Sequence, residues 1–275
     1  MRNAHQAGSV ATGSHPQLFV FCYHKSGTQL FAKILTDLAR HFGLVMARAL
    51  GAVDHIDGAA DIVLFSHSII RCNLAARPHR GVRIVRDPRG IWVSGYWYHQ
   101  RCDEHWCVNT DFDVTPPIGY PRVPYSQIQR SEDWKRQYLA GLDGRSYQAN
   151  LLALDRNAGL AFEEVRYADW TAEAMAAWQP DESTVDVKLE SIAADFDAAL
   201  AAILRHFGFS GDRLVDALRI SQAHDVTRMS AQVIAQNPHI TSRDVSLWRC
   251  HLAADRRRRF EERHGALITS LGYPM

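Results

Sequence analysis

The stretch that decides the fold is Leu18-Phe19-Val20-Phe21-Cys22-Tyr23-His24-Lys25-Ser26-Gly27-Thr28-Gln29. Its first six residues are a continuous apolar run, as expected of a strand buried on both faces of a parallel sheet. Gly27 frees the backbone to turn tightly and to approach an anion. Beyond Thr28, the residues Leu30, Phe31, Ile34, Leu35, Leu38 and Phe42 recur at helical spacing, and Gly43 marks a stop. The pattern predicts a strand, a short polar turn and a helix whose free N–H groups and positive dipole end face an anion site. Lys25 adds a full charge there, and Ser26 and Thr28 add hydroxyls. An ordinary strand-to-helix turn is the plainer alternative. The order is not GxxxxGK(S/T): Lys25 precedes Gly27 and no glycine stands upstream in the turn, which disfavours a nucleoside triphosphatase.

Outward from this stretch, Ile62–Phe65 and Val82–Val85 are further apolar runs. Arg86 stands at the end of the second, where its fork can grip a phosphate through two hydrogen bonds. Pro88 suits the first turn of a helix. That helix carries Ser94 about two turns in, near the same strand end. A local Arg86–Asp87 ion pair with Ser94 as a small packing residue is the plainer reading. Phe162–Tyr167 reads as another strand, Leu189–Phe207 as one amphipathic helix and Asp255–Leu271 as a last helix. Strands alternating with helices imply an α/β fold, a single domain with a central parallel sheet flanked by helices, with ligands at the carboxyl ends of the strands. Residues 1–16 read as a loose polar tail and 17–275 as the domain. Between about 100 and 145 the periodicity dissolves amid Pro116, Pro117, Pro121 and Pro124, which marks a substrate-facing insertion.

Composition narrows the function classes. The 275 residues carry a formal net charge of +1, so an anion site must be built locally rather than by bulk charge. No run approaches the ~18 apolar residues of a membrane span, and the first residues lack a secretory signal's apolar core. A soluble, cytoplasmic protein is the expectation. The five cysteines are odd in number and irregular in spacing, which suggests reduced thiols rather than a disulfide framework. His99, Cys102, His105 and Cys107 could hold zinc, but their spacing matches no common module. A substrate-side loop with free thiols is preferred, and no metal is expected. The run Arg256–Arg259 is followed by Glu261 and Glu262 at helical spacing, so a solvated helix face is preferred over a nucleic-acid surface.

Taken together, the two motifs resemble the sulfotransferases that use 3′-phosphoadenosine-5′-phosphosulfate (PAPS). Lys25, Ser26, Gly27 and Thr28 match that family's KSGTT loop for the 5′-phosphosulfate. Arg86, Pro88, Arg89, Val93, Ser94 and Tyr96 match its 3′-phosphate motif with the same Arg-to-Ser spacing. Gln29 replaces the second Thr of the loop, and Gly90 replaces an Asp of the second motif. Weaker likenesses follow. Phe65-Ser66-His67 is similar to the family's KTH-type segment, which supplies a catalytic histidine. Val165-Arg166-Tyr167-Ala168-Asp169 is similar to its YED-type strand end, whose tyrosine lies near the adenine. Arg243–His251 is similar to its GxxGxWK/R segment but lacks both glycines, which leaves Arg243 and Arg249 as candidates for the 3′-phosphate.

The resemblance implies a P-loop-like fold of the sulfotransferase type. It implies sulfuryl transfer from PAPS to a hydroxyl or amine of a small-molecule or carbohydrate acceptor, releasing 3′,5′-ADP. Lys25 would meet the charge that grows on the bridging oxygen, and His67 would take the acceptor's proton, with His24 the nearest rival and an Asp or Glu of the insertion as further alternatives. Lys25, Ser26, Gly27, Thr28, Gln29, Arg86, Ser94, Tyr167, Arg243 and Arg249 would bind the nucleotide. A phosphotransferase of related architecture and a non-catalytic nucleotide-binding scaffold are the alternatives.

Overall fold

The computed structural model describes residues 15–113, 121–237, 239–240 and 242–275. The tail read over residues 1–16 lies, up to residue 14, outside the described residues, as do Pro116 and Pro117 of the insertion. Five parallel strands form one sheet in the order β2-β3-β1-β4-β5: β1 (Gln17–Cys22), β2 (Met46–Val53), β3 (Ile62–Ile70), β4 (His79–Val85) and β5 (Thr184–Lys188). The helices in chain order are α1 (Thr28–Phe42), α2 (Pro88–His99), α3 (His105–Val108), α4 (Glu132–Ala140), α5 (Tyr147–Ala153), α6 (Arg156–Glu163), α7 (Asp169–Ala176), α8 (Leu189–Ala194), α9 (Phe196–His206), α10 (Gly211–Gln222), α11 (Ala231–Gln236), α12 (Trp248–His251) and α13 (Ala254–Ser270).

The alternation of side chains along β1 divides the core. Leu18, Val20 and Cys22 face α1 and α9, meeting Phe31, Ile34, Leu35, Leu38, Leu200 and Leu204. Phe19 and Phe21 face the other way, onto Phe65 and Trp178. Each such aliphatic or aromatic side chain removed from water contributes roughly 1.5–3 kcal/mol. A further aromatic block, including Trp92, Trp106, Tyr147, Tyr167 and Phe260, fixes α2 against α3, α5, α6 and α13. It sets the wall of the site beside the strand ends.

The described residues correct three expectations. Phe162–Tyr167 is not a strand: α6 runs to Glu163 and continues into a π-helical turn, Glu164–Ala168. Its aromatic and β-branched residues look strand-like in sequence, but Asp155 caps the start of α6 and Leu160 and Tyr167 pack into the aromatic block. Leu189–Phe207 is two helices, because Asp195 leaves helical geometry and its side chain accepts from the Ala198 N–H to start α9. The strand read as Ile62–Phe65 continues to Ile70 through a bulge. The insertion contains α3, α4 and a 3₁₀ turn at Tyr125–Gln127. The Arg256–Arg259 run pairs with Glu164, Glu261, Glu262 and Asp255, an ion-paired helix face. No helix among the described residues is long and apolar enough to cross a membrane.

Candidate active site

At the carboxyl ends of β1, β3 and β4 the structure opens a cleft of about 250 Å³. Its floor is the turn between β1 and α1. Ser26 Oγ accepts from the Tyr23 N–H (2.7 Å) and donates to the Tyr23 carbonyl (3.0 Å), while the Thr28 hydroxyl donates to that same carbonyl (3.2 Å). Ser26 is fully buried and does not line the cleft; it holds the turn in shape. Lys25 (φ +54°) and Gly27 (φ +106°) are both left-handed. At Gly27 a Cβ would also press on Leu189 Cδ1, 3.2 Å away. The first intrahelical bond of α1 is Phe31 N–H to Gly27 C=O, and among the described residues no side chain caps this end. The N–H groups of Thr28, Gln29 and Leu30 therefore lack intrahelical acceptors, and these three residues line the cleft.

Two cations meet over this helix end. β1 and β4 are neighbours, with Cys22 opposite Ile84, so Lys25 and Arg86 leave adjacent strand ends. Arg86 Nη1 donates to the Lys25 carbonyl (2.9 Å); its Nε is buried with no partner among the described residues. Burial pulls the Arg86 pKa below its ordinary value. Gly90 lets the guanidinium lie against α2, since a Cβ there would sit 3.2 Å from Arg86 Nε. Lys25 Nζ donates to the His239 carbonyl (3.0 Å) and stands 4.1 Å above the Tyr98 ring. Burial first, then Arg86 and Arg101, brings the Lys25 pKa down to about 7. Such a pair is poised for an anion that supplies the missing negative charge.

His67 enters the cleft from β3. The pairing of β2 and β3 shifts between Leu50/Ser66 and Ala52/Ile69, so β3 holds one extra residue here, and His67 takes φ +56°. A non-glycine residue held left-handed in a bulge is a re-aimed side chain. Burial pushes the His67 pKa down to about 4, which keeps the imidazole neutral. Glu104 stands on the same cavity wall, accepting from the Tyr98 hydroxyl (2.6 Å) and from Trp106 Nε1–H.

Of the residues expected from sequence, Lys25, Gly27, Thr28, Gln29, His67, Arg86, Ser94 and Arg243 line the cleft. Arg243 is exposed and donates to the Val226 and Met229 carbonyls. Tyr167 and Arg249 are not among the lining residues. Tyr167 is buried in the π-helical turn, its ring 4.2 Å from that of His24, and Arg249 is exposed beside the Trp248 ring. The strand end beside β4 belongs instead to β5, and Leu189, just beyond it, lines the cleft. Sequence reading also missed Lys33, one turn into the periodic α1, and the apolar end formed by Leu30, Ile192, Phe196, Val226 and Met229. Glu104 and His239 carried no local signal, since they reach the site only through tertiary packing.

No family model matches the chain, and no curated protein matches it significantly. Among solved structures it is similar to the mouse sulfotransferase SULT7A1 complexed with PAP, at 15% identity over 90% of this chain and 82% of that one, with a TM-score of 0.44. It is also similar to retinol dehydratase in complex with androsterone and the inactive cofactor PAP, at 11% identity over 94% and 82%, with a TM-score of 0.44.

Proposed function

We propose that the protein transfers a sulfuryl group from PAPS to an acceptor hydroxyl or amine and releases 3′,5′-ADP. The observation that carries this reading is the pairing of Lys25 and Arg86 at adjacent strand ends over the uncapped start of α1. The N–H groups of Thr28 and Gln29, with the α1 dipole, meet the 5′-phosphate. Arg86, whose Nε has no partner among the described residues, and Ser94 meet the 3′-phosphate. The apolar end around Ile192 and Phe196 suits the flat adenine.

PAPS supplies a sulfuryl group bonded to a phosphate oxygen. As the acceptor oxygen or nitrogen forms its bond to sulfur, the sulfur–oxygen bond to the phosphate breaks. Lys25 stabilises the negative charge left on that oxygen, and His67, neutral at physiological pH, takes the acceptor's proton. The acceptor enters beside His67, Tyr98 and Glu104, a wall that suits a small molecule or sugar. The test is release of 3′,5′-ADP from PAPS over a panel of hydroxyl and amine acceptors. Lys25→Ala should lower turnover by at least about a hundredfold, the scale set by loss of one preorganised donor. Near-parental turnover in that variant would remove Lys25 from the chemistry.

A further inference from the structure

Beside the cleft lies a second cluster that the transfer reaction does not use. His24 from the β1–α1 turn, His99 from the last turn of α2 and Glu163 from the end of α6 bring ligand atoms within 4.8 Å of one another. All three are buried, at 7%, 0% and 1% exposure. Nε2 of His24 and Nε2 of His99 have no hydrogen-bond partner among the described residues. Two buried, unpartnered imidazole nitrogens side by side are costly unless something binds them. The Glu163 carboxylate accepts from the Tyr147 hydroxyl (2.8 Å) and meets His99 Nδ1 at 2.9 and 3.0 Å. Among the described residues no lysine or arginine pairs with it, although a buried carboxylate needs a counter-charge or a proton. Gly95 borders the cluster. A Cβ there would stand 2.5 Å from Glu163 Oε1 and 3.5 Å from His24 Nε2, so the bare backbone keeps the space between them open.

We propose that His24, His99 and Glu163 bind one divalent transition-metal ion of the zinc class. Two imidazoles and a carboxylate suit zinc, cobalt or nickel, whereas magnesium and calcium favour all-oxygen sites. Zinc–ligand distances of ~2.1 Å hold tetrahedral ligand atoms about 3.4 Å apart, and the His24 and His99 rings stack at 17°, so the cluster closes through shifts on the order of an ångström together with a turn of one imidazole. Tyr147 is the outer partner that orients the carboxylate. This is not the His–Cys grouping suggested by sequence spacing. His105 is exposed, whereas His99 turns towards His24 and Glu163. The site adjoins the cleft, which His24 also lines, but the proposed transfer step uses none of its three residues.

The test is equilibrium dialysis of the full chain, stripped with EDTA, against Co²⁺ and then Zn²⁺, with visible absorption and melting temperature recorded. The site predicts one Co²⁺ per chain, displaced by Zn²⁺, with visible d–d bands and no thiolate charge-transfer band. His99→Gln and Glu163→Gln should each weaken Co²⁺ binding by at least about tenfold to a hundredfold. Zn²⁺ should raise the melting temperature of the parent and of the control His251→Asn, but not of these two variants. Circular dichroism establishes that each variant folds, and the parent's stoichiometry and spectrum decide the matter if one does not. Sub-stoichiometric uptake, a thiolate band pointing to Cys102 and Cys107, or undiminished binding in both folded variants would overturn the site.

Discussion

Arg86→Ala should separate nucleotide recognition from fold stability. Arg86 donates to the Lys25 carbonyl, and its Nε is buried without a partner among the described residues. Burial disfavours its charge, and it is the foremost cationic neighbour depressing Lys25. Removing the guanidinium forfeits a charge-assisted bond worth about 1.5–3 kcal/mol and the attraction of Glu190 and Asp87, but relieves the burial of its charge and a like-charge contact with Lys25. These terms offset, so the melting temperature of the variant should stay within a few degrees of the parent's. Binding responds far more strongly. Two charge-assisted bonds from the guanidinium to a 3′-phosphate contribute about 3–6 kcal/mol, or roughly 10²–10⁴ in affinity. Arg86→Lys keeps the charge but loses the fork, and should fall between. Calorimetric titration with 3′,5′-ADP and with ADP reads both: the first should weaken by that factor, and the second by no more than about threefold, since it has no 3′-phosphate for the guanidinium to grip. Parental affinity for 3′,5′-ADP, or equal losses for both ligands, would refute the assignment.

His67→Gln should reduce transfer by about 10²–10⁴ while 3′,5′-ADP affinity stays unchanged, as expected of a proton acceptor that leaves the nucleotide alone; steady-state rates and calorimetry on one preparation check it. The Lys25 pKa of about 7 sets a pH dependence in metal-free protein. An anion prefers the ammonium form, so 3′,5′-ADP affinity should be flat below pH 7 and fall as pH rises through it, with proton uptake on binding; rising affinity above pH 7 would contradict this. Because this pKa is depressed from 10.5, Lys25 penalises the fold at low pH, and the penalty fades between pH 7 and 10.5.

The parts of the fold that were legible in sequence are those with strong local signals. β1, α1, β4 and α2 announce themselves through a continuous apolar run, helical spacing, a strand-end arginine and a proline at the first helical position. β2 and β5 do not, because they are the edges of the sheet: in Met46–Val53 and Thr184–Lys188 exposed residues, apolar Leu50 and Val185 among them, are mixed with half-buried ones, so no continuous apolar run forms. Glu164–Ala168 misled because Val165 and Tyr167 favour strands in isolation, while helix packing overrides that preference. The site divides the same way. Lys25 and Arg86 are marked by motifs on neighbouring strands, and His67 by a weak segment likeness that the bulge makes intelligible. Glu104, His239 and the pairing of His24 with His99 depend on contacts between distant elements, so no local pattern discloses them.

The most direct test of the central claim is a thermal-shift titration with 3′,5′-ADP beside ADP and ATP. A ligand at a hundred times its dissociation constant adds about 2.7 kcal/mol to the native state, which in a domain of this size raises the melting temperature by about 5 °C or more. The cleft with Arg86 beside Lys25 predicts that rise with 3′,5′-ADP and little with ADP or ATP at the same concentration. Stabilisation by ATP but not by 3′,5′-ADP, or by none of the three, would contradict it.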